Sequence, residues 1–139
     1  MNAEQLRRIA TQQGLSRDQL DADPFAQFAR WFEQAIESSI PEPNAMSLAT
    51  LSDSGQPWLR TVLLKLYDQG GFVFFTNYSS RKAAQIAANA KVALLFPWVA
   101  LGRQVKISGV AEKVPLAESM KYFATRNRGS QIGAWASPQ

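Results

Sequence analysis

The spacing of apolar residues changes at Pro41-Glu42-Pro43. Before that break, Phe25, Phe28, Phe32, Ala35 and Ile36 recur at intervals that place them on one face of a helix. Asp23 stands at its N-cap and Pro24 at its first position, where a missing N–H is harmless. The prolines end it. This face predicts a helix that packs on a core and carries no chemistry. Upstream, residues 1–22 hold few large apolar side chains and read as a mobile arm or a short marginal helix. The chain therefore divides into an arm over 1–22 and one domain over 23–139.

After Asn44 the pattern becomes short strand-like runs separated by turn residues. Strands are predicted over 45–51, 58–66, 72–76, 92–96 and 104–114. The turns are Ser52-Asp53-Ser54-Gly55 and Asp68-Gln69-Gly70-Gly71. An Ala-rich helix is expected over 81–89, capped by Ser79 or Ser80, and a second over 116–125 after Pro115. Gly109 marks an expected bulge in the last strand. Runs joined by tight turns predict an antiparallel meander, not a doubly wound parallel sheet. The fold class that follows is mainly β (α+β), a small antiparallel barrel with flanking helices.

Composition narrows the chemistry. The 139 residues include no cysteine and no histidine, which excludes disulfides, thiolate nucleophiles, histidine bases and zinc sites of the usual kind. No metal site is expected. No apolar run approaches the roughly 18–20 residues of a membrane span, and residues 1–14 lack the apolar stretch of a signal peptide. A cytoplasmic protein without a membrane partner is expected. Catalysis would have to rely on a cofactor, on Arg and Lys, or on residues outside this chain.

The net charge is +4, but its placement says more. From Arg60 to Lys106 there are seven basic residues and one acid, while the remainder is slightly acidic. An anionic partner is expected at the middle of the chain. In Arg60-Thr61-Val62-Leu63-Leu64-Lys65 two cations lie an odd number of residues apart, so strand alternation puts them on opposite faces. They could serve two anions on two sides of one wall, or one could be exposed and the other sit near a strand end. In Phe75-Thr76-Asn77-Tyr78-Ser79-Ser80-Arg81-Lys82 the cations fall in a first helical turn, where they oppose the macrodipole. An anion held by the free N–H groups there would resolve the conflict; a solvated basic turn is the plain alternative. Tyr122 and Arg126 share a helical face, and with Ser130 they could grip a second phosphate, or could be an Arg packed over a ring. Gln104 could read the polar edge of a flavin or base. Trp98 and Trp135 could stack on such a ring, although core packing is the commoner use of tryptophan.

These segments, in order and at matching spacing, resemble the pyridoxamine 5′-phosphate oxidase family. The motifs are Arg60 to Lys65, Phe74-Phe75-Thr76-Asn77 with Ser80-Arg81-Lys82-Ala83, Leu94-Leu95-Phe96-Pro97-Trp98, Arg103-Gln104-Val105, and Tyr122-Phe123 through Arg126 to Ser130 and Ser137. The resemblance runs from about Leu6 to the last residue. It implies an FMN-binding split barrel, a homodimer, and FMN at the subunit interface. It implies cofactor contacts at Arg60, Thr61, Val62, Leu63, Leu64, Lys65, Phe75, Thr76, Arg81, Lys82, Gln104 and Gln139. It implies substrate contacts at Arg7, Lys65, Tyr122, Arg126 and Ser130. In the family, pyridoxamine or pyridoxine 5′-phosphate is oxidised to pyridoxal 5′-phosphate and O2 becomes hydrogen peroxide; the flavin carries the redox step.

Two departures accompany the resemblance. The family's chain continues beyond Gln139 with a Trp and an Arg for FMN and an Arg-x-His pair over the substrate, so a C-terminal part is expected to be missing. The family's N-terminal Leu-Arg-Arg-x-Tyr appears as Leu6-Arg7-Arg8-Ile9-Ala10, with Ala10 at the Tyr position of a substrate lid. The alternatives are another split-barrel oxidoreductase like the phenazine-biosynthesis oxidases, an inactive FMN-binding fragment, and a nucleic-acid-binding β-barrel. The last is weakened by basic residues that do not alternate with exposed aromatics along one strand face.

Overall fold

The computed structural model describes Glu4, Gln5 and residues 14–115. Arg7, the segment over 116–125, Tyr122, Arg126, Ser130, Trp135 and Gln139 lie outside the described residues.

Helix α1, Pro24–Glu37, starts where its cap residues require. The Asp23 carboxylate accepts from the Phe25 N–H at 2.9 Å and from the Gln69 side chain at 3.0 Å. These two bonds hold the Asp23 carboxyl below its ordinary pKa, the Gln69 contact contributing most. They also tie the helix start to a turn of the sheet. Phe28 and Ala35 are buried on the inner face, as the spacing predicts. Ile36 is not: it is 54% exposed. At about 100° per residue it lies about 80° round the axis from Phe28, in the last turn, past the edge of the buried stripe.

The strands are β1 (Ala45–Leu51), β2 (Pro57–Asp68), β3 (Gly71–Phe74), β4 (Lys91–Phe96) and β5 (Val105–Val110). They form one curled antiparallel sheet in the order β3-β2-β1-β4-β5. The arrangement is therefore not a simple meander. After β3 the chain crosses back through α2, Arg81–Ala88, and β4 pairs with β1. Gly55 and Gly71 take positive φ at the two hairpin turns, as a residue without Cβ can.

The irregularity in the sheet is not at Gly109. Gly109 pairs in register with Val92. The shift lies in β2, between Leu64 and Leu66. Lys65 is the extra residue, and the bulge resets the alternation. Val62 and Leu64 point to the core; Leu66 is 59% exposed and Tyr67 turns inward instead.

One face of the sheet and the inner stripe of α1 make the core: Phe28, Ala35, Met46, Leu48, Val62, Leu64, Leu94, Phe96 and Trp98. Phe28 is its centre, with five aromatic rings within 4.9–5.7 Å of its own: Phe32, Tyr67, Phe72, Phe96 and Trp98. Trp98 is 2% exposed, and its indole N–H donates to the Pro43 carbonyl at 2.9 Å. It is a core residue. Among the described residues no helix is long and apolar enough to cross a membrane.

Candidate functional site: a cationic cluster between β2 and α2

The core gives way to polar groups at one end of the buried sheet face. Along β1 the inward positions run Met46, Leu48, Thr50, and along β2 they run Leu64, Val62, Arg60. Arg60 pairs across with Leu48, so its stem begins on the core face. Its guanidinium Nη1 donates to Leu48 O at 3.1 Å and to Thr50 Oγ1 at 2.6 Å. Nη2 donates to Gln85 Oε1 at 3.2 Å. The Thr50 hydroxyl in turn donates to Gln85 Oε1. All these acceptors are neutral, so the guanidinium keeps its full charge.

Helix α2 brings two more cations. Asn77 opens the turn before it, its side chain accepting from the Ser79 N–H at 3.0 Å. Ser80 is the N-cap, 1% exposed, accepting from the Ala83 N–H at 3.2 Å. Thr76 Oγ1 lies 3.4 Å from the Ser80 hydroxyl. Lys82 and Gln85, three residues apart, share the face turned toward β1 and are 6% and 9% exposed. Arg81 lies on the other side, its guanidinium 4.3 Å from the centre of the Trp58 ring. An open cavity of about 320 Å³ is lined by Ser52, Asp53, Trp58, Arg81, Ala84 and Gln85.

Burial pushes the Arg60 guanidinium below its ordinary pKa, and nearby Arg81 adds to the effect. Burial likewise lowers the Lys82 ammonium, with Arg60 as the second cause. Two cations partly withdrawn from water, Arg60 and Lys82, thus lie near an exposed third, Arg81, at the start of a helix. This is unfavourable for the protein alone and fits an anion that hydrogen-bonds to Arg and Lys.

The other anticipated positions are spread over the sheet and its links. Thr61 is exposed on the outer face of β2, with Leu63 half-buried there. Val62 and Leu64 give their side chains to the core, so a ligand could meet only their backbone. That backbone is available in part: β3 pairs with β2 only from Leu64 to Asp68, and among the described residues no strand covers that edge between Pro57 and Leu63. Phe75 and Thr76 are half-buried in the link from β3 to α2. Lys65 sits at the bulge, where regular alternation and the exposure of Leu66 put it on the outer face, opposite to Arg60. Gln104 precedes β5, three strands from Arg60 across the sheet, so the structure does not bring the two together within this chain. Thr50 and Gln85 were not anticipated. Their signal was a polar residue at an inward position: Thr50 continues the Met46, Leu48 alternation, and Gln85 follows Lys82 on one helix face.

Among the described residues, no three His, Cys, Asp or Glu side chains come together as metal ligands. Comparison with known proteins then gives the lineage. A family model described as pyridoxamine 5′-phosphate oxidase matches residues 32–139. The chain belongs to the pyridoxamine 5′-phosphate oxidase family. It is 63% identical over 139 residues to the pyridoxine/pyridoxamine 5′-phosphate oxidase of Rippkaea orientalis, covering all of this chain and 66% of that protein. The oxidase of Crocosphaera subtropica is 60% identical, with 65% of it covered. The chain thus spans about two thirds of the length of these relatives. Among solved structures, PhzG from Burkholderia lata, in complex with tetrahydrophenazine-1-carboxylic acid, superposes with a TM-score of 0.83 at 27% identity, covering 91% of this chain and 63% of that one. A pyridoxamine 5′-phosphate oxidase-related, FMN binding protein from Nostoc punctiforme shares the fold, with a TM-score of 0.65 at 15% identity over 81% of this chain and 64% of that one. The family's members are named as oxidases, and its fold is the antiparallel split barrel.

Proposed function

We propose that the chain provides the FMN-binding part of a pyridoxine/pyridoxamine 5′-phosphate oxidase, acting as a cytoplasmic homodimer. The observation that carries this reading is the cluster of Arg60, Arg81 and Lys82, in which burial first and a neighbouring cation second disfavour the charges of Arg60 and Lys82, a cost that a bound anion would offset. These three side chains would hold the cofactor's phosphate. The uncovered backbone of β2 next to Arg60 would offer donors and acceptors to the flavin ring. When bound, FMN supplies the two-electron acceptor for the alcohol or amine carbon and the means of reducing O2 to hydrogen peroxide. The protein's own part is to bind and orient. Lys65, on the opposite side of the sheet from Arg60, would take the substrate phosphate together with Arg7, Tyr122, Arg126 and Ser130. The outer sheet face carries Leu59, Leu63, Leu66, Leu95 and Val110, with Leu59 69% and Val110 72% exposed. Such a surface suits a second copy of the chain.

The test is turnover. The protein, supplied with FMN, O2 and pyridoxine 5′-phosphate, is expected to release pyridoxal 5′-phosphate and hydrogen peroxide in equal amounts. The same assay on a chain extended to the length of the relatives separates a missing segment from a wrong substrate. Absence of product from the extended chain would overturn the assignment. The likeness to PhzG favours a second reading, an oxidase of phenazine precursors. Oxidation of tetrahydrophenazine-1-carboxylic acid, with pyridoxine 5′-phosphate ignored, would select it.

A further inference from the structure

We infer that Gln85, completed by Thr50, is a positioning residue that aims the Arg60 guanidinium at the flavin phosphate while leaving its charge unspent; this rests on the FMN reading above. A guanidinium has five donors and no acceptor, so its partners decide both where it points and how much charge it presents. Here the partners are two buried side-chain oxygens, of Thr50 and Gln85, and the backbone carbonyls of Leu48 and Trp58. Gln85 Oε1 receives two bonds, one from Arg60 Nη2 and one from the Thr50 hydroxyl. Thr50 Oγ1 receives Arg60 Nη1, so the three side chains close a ring. The amide can present only its oxygen to a guanidinium, which fixes its orientation.

A carboxylate at position 85 would have the same shape and would bind Arg60 more strongly. It would also cancel the charge. The amide makes the contact without doing so. The charged groups round Gln85 are Arg60 from β2, Arg81 and Lys82 from its own helix, and Asp53 from the β1–β2 turn, which shares the cavity wall. Gln85 therefore stands where the sum of charge is positive and where a neutral clamp keeps it so.

Two variants of the full chain test this, Q85E and Q85M. FMN and riboflavin are titrated against each, and the Arg side-chain N–H resonances are recorded without flavin. In the wild type, the Arg60 Nη signals should be resolved, as hindered rotation requires. In Q85M they should collapse, with FMN affinity falling a few-fold. In Q85E they should stay resolved, with FMN affinity falling at least tenfold and heat stability in the absence of flavin undiminished. Riboflavin affinity should not change in either. FMN binding by Q85E equal to that of the wild type overturns the inference. So does equal loss of FMN and riboflavin with a lowered melting point, which marks a merely structural role. A wild type that binds neither flavin overturns the FMN reading itself, and the inference with it.

Discussion

Replacing Phe28 with alanine is expected to destabilise the protein by about 3–5 kcal/mol, the range for removing a buried aromatic side chain. Phe28 is 3% exposed and meets rings from its own helix, β2, β3, β4 and the link after β4. Truncation leaves a cavity that rings held by three strands cannot close, and each lost edge-to-face pair adds about 0.5–1.5 kcal/mol beyond area. Urea unfolding checks this: the midpoint should fall, with the slope unchanged. Ile36→Ala, in the same helix but on the exposed side, should stay within about 0.5 kcal/mol of the wild type. Equal effects at the two positions would mean that α1 does not pack through Phe28.

The second large effect is on binding. Lys82→Met should weaken FMN by about 1.5–3 kcal/mol, the contribution of a hydrogen bond to a charged group, or roughly ten- to 150-fold. Riboflavin, which lacks the phosphate, should bind the variant as it binds the wild type. The effect on stability has the opposite sign. Burial, then Arg60, lowers the Lys82 pKa in the folded protein below the ordinary 10.5. Below the folded value the ammonium is charged in both states, and the unfavourable contribution is fully present. It is relieved as pH rises from the folded value to 10.5, and is absent above. The difference in stability between K82M and the wild type, favouring the variant at neutral pH, should therefore shrink through the alkaline range. Denaturant titrations of both proteins without flavin at neutral and alkaline pH measure it. A difference that grows with pH would show that favourable contacts of the Lys82 ammonium outweigh the cost of its burial.

What the sequence revealed depended on the range of the interactions. The start of α1 is local: Asp23, Pro24 and Phe25 are consecutive, and their chemistry alone sets the cap. Strand β1 is likewise set by its own alternation, over 45–51. The bulge at Lys65 is not local. Val62, Leu64 and Leu66 alternate so regularly that Leu66 should face inward. Tyr67 takes that place because Phe28, Phe32 and Phe72 offer it an aromatic site. Those rings come from other elements. Gly109 misled for the complementary reason, since a glycine permits a bulge without requiring one. The candidate site divides in the same way. Arg60, Arg81 and Lys82 stand out as cations in apolar or helix-opening positions. Thr50 and Gln85 are 35 residues apart, and only the fold makes them one contact.

The most direct test of the central claim is a titration of FMN with the purified 139-residue chain, followed by flavin fluorescence, with riboflavin alongside. Saturable binding of FMN, at least tenfold tighter than riboflavin and lost on substitution of Arg60 and Lys82 together, is the expected result. Equal affinity for the two flavins, or FMN binding indifferent to both cations, would contradict the assignment of the cationic cluster between β2 and α2 to the cofactor's phosphate.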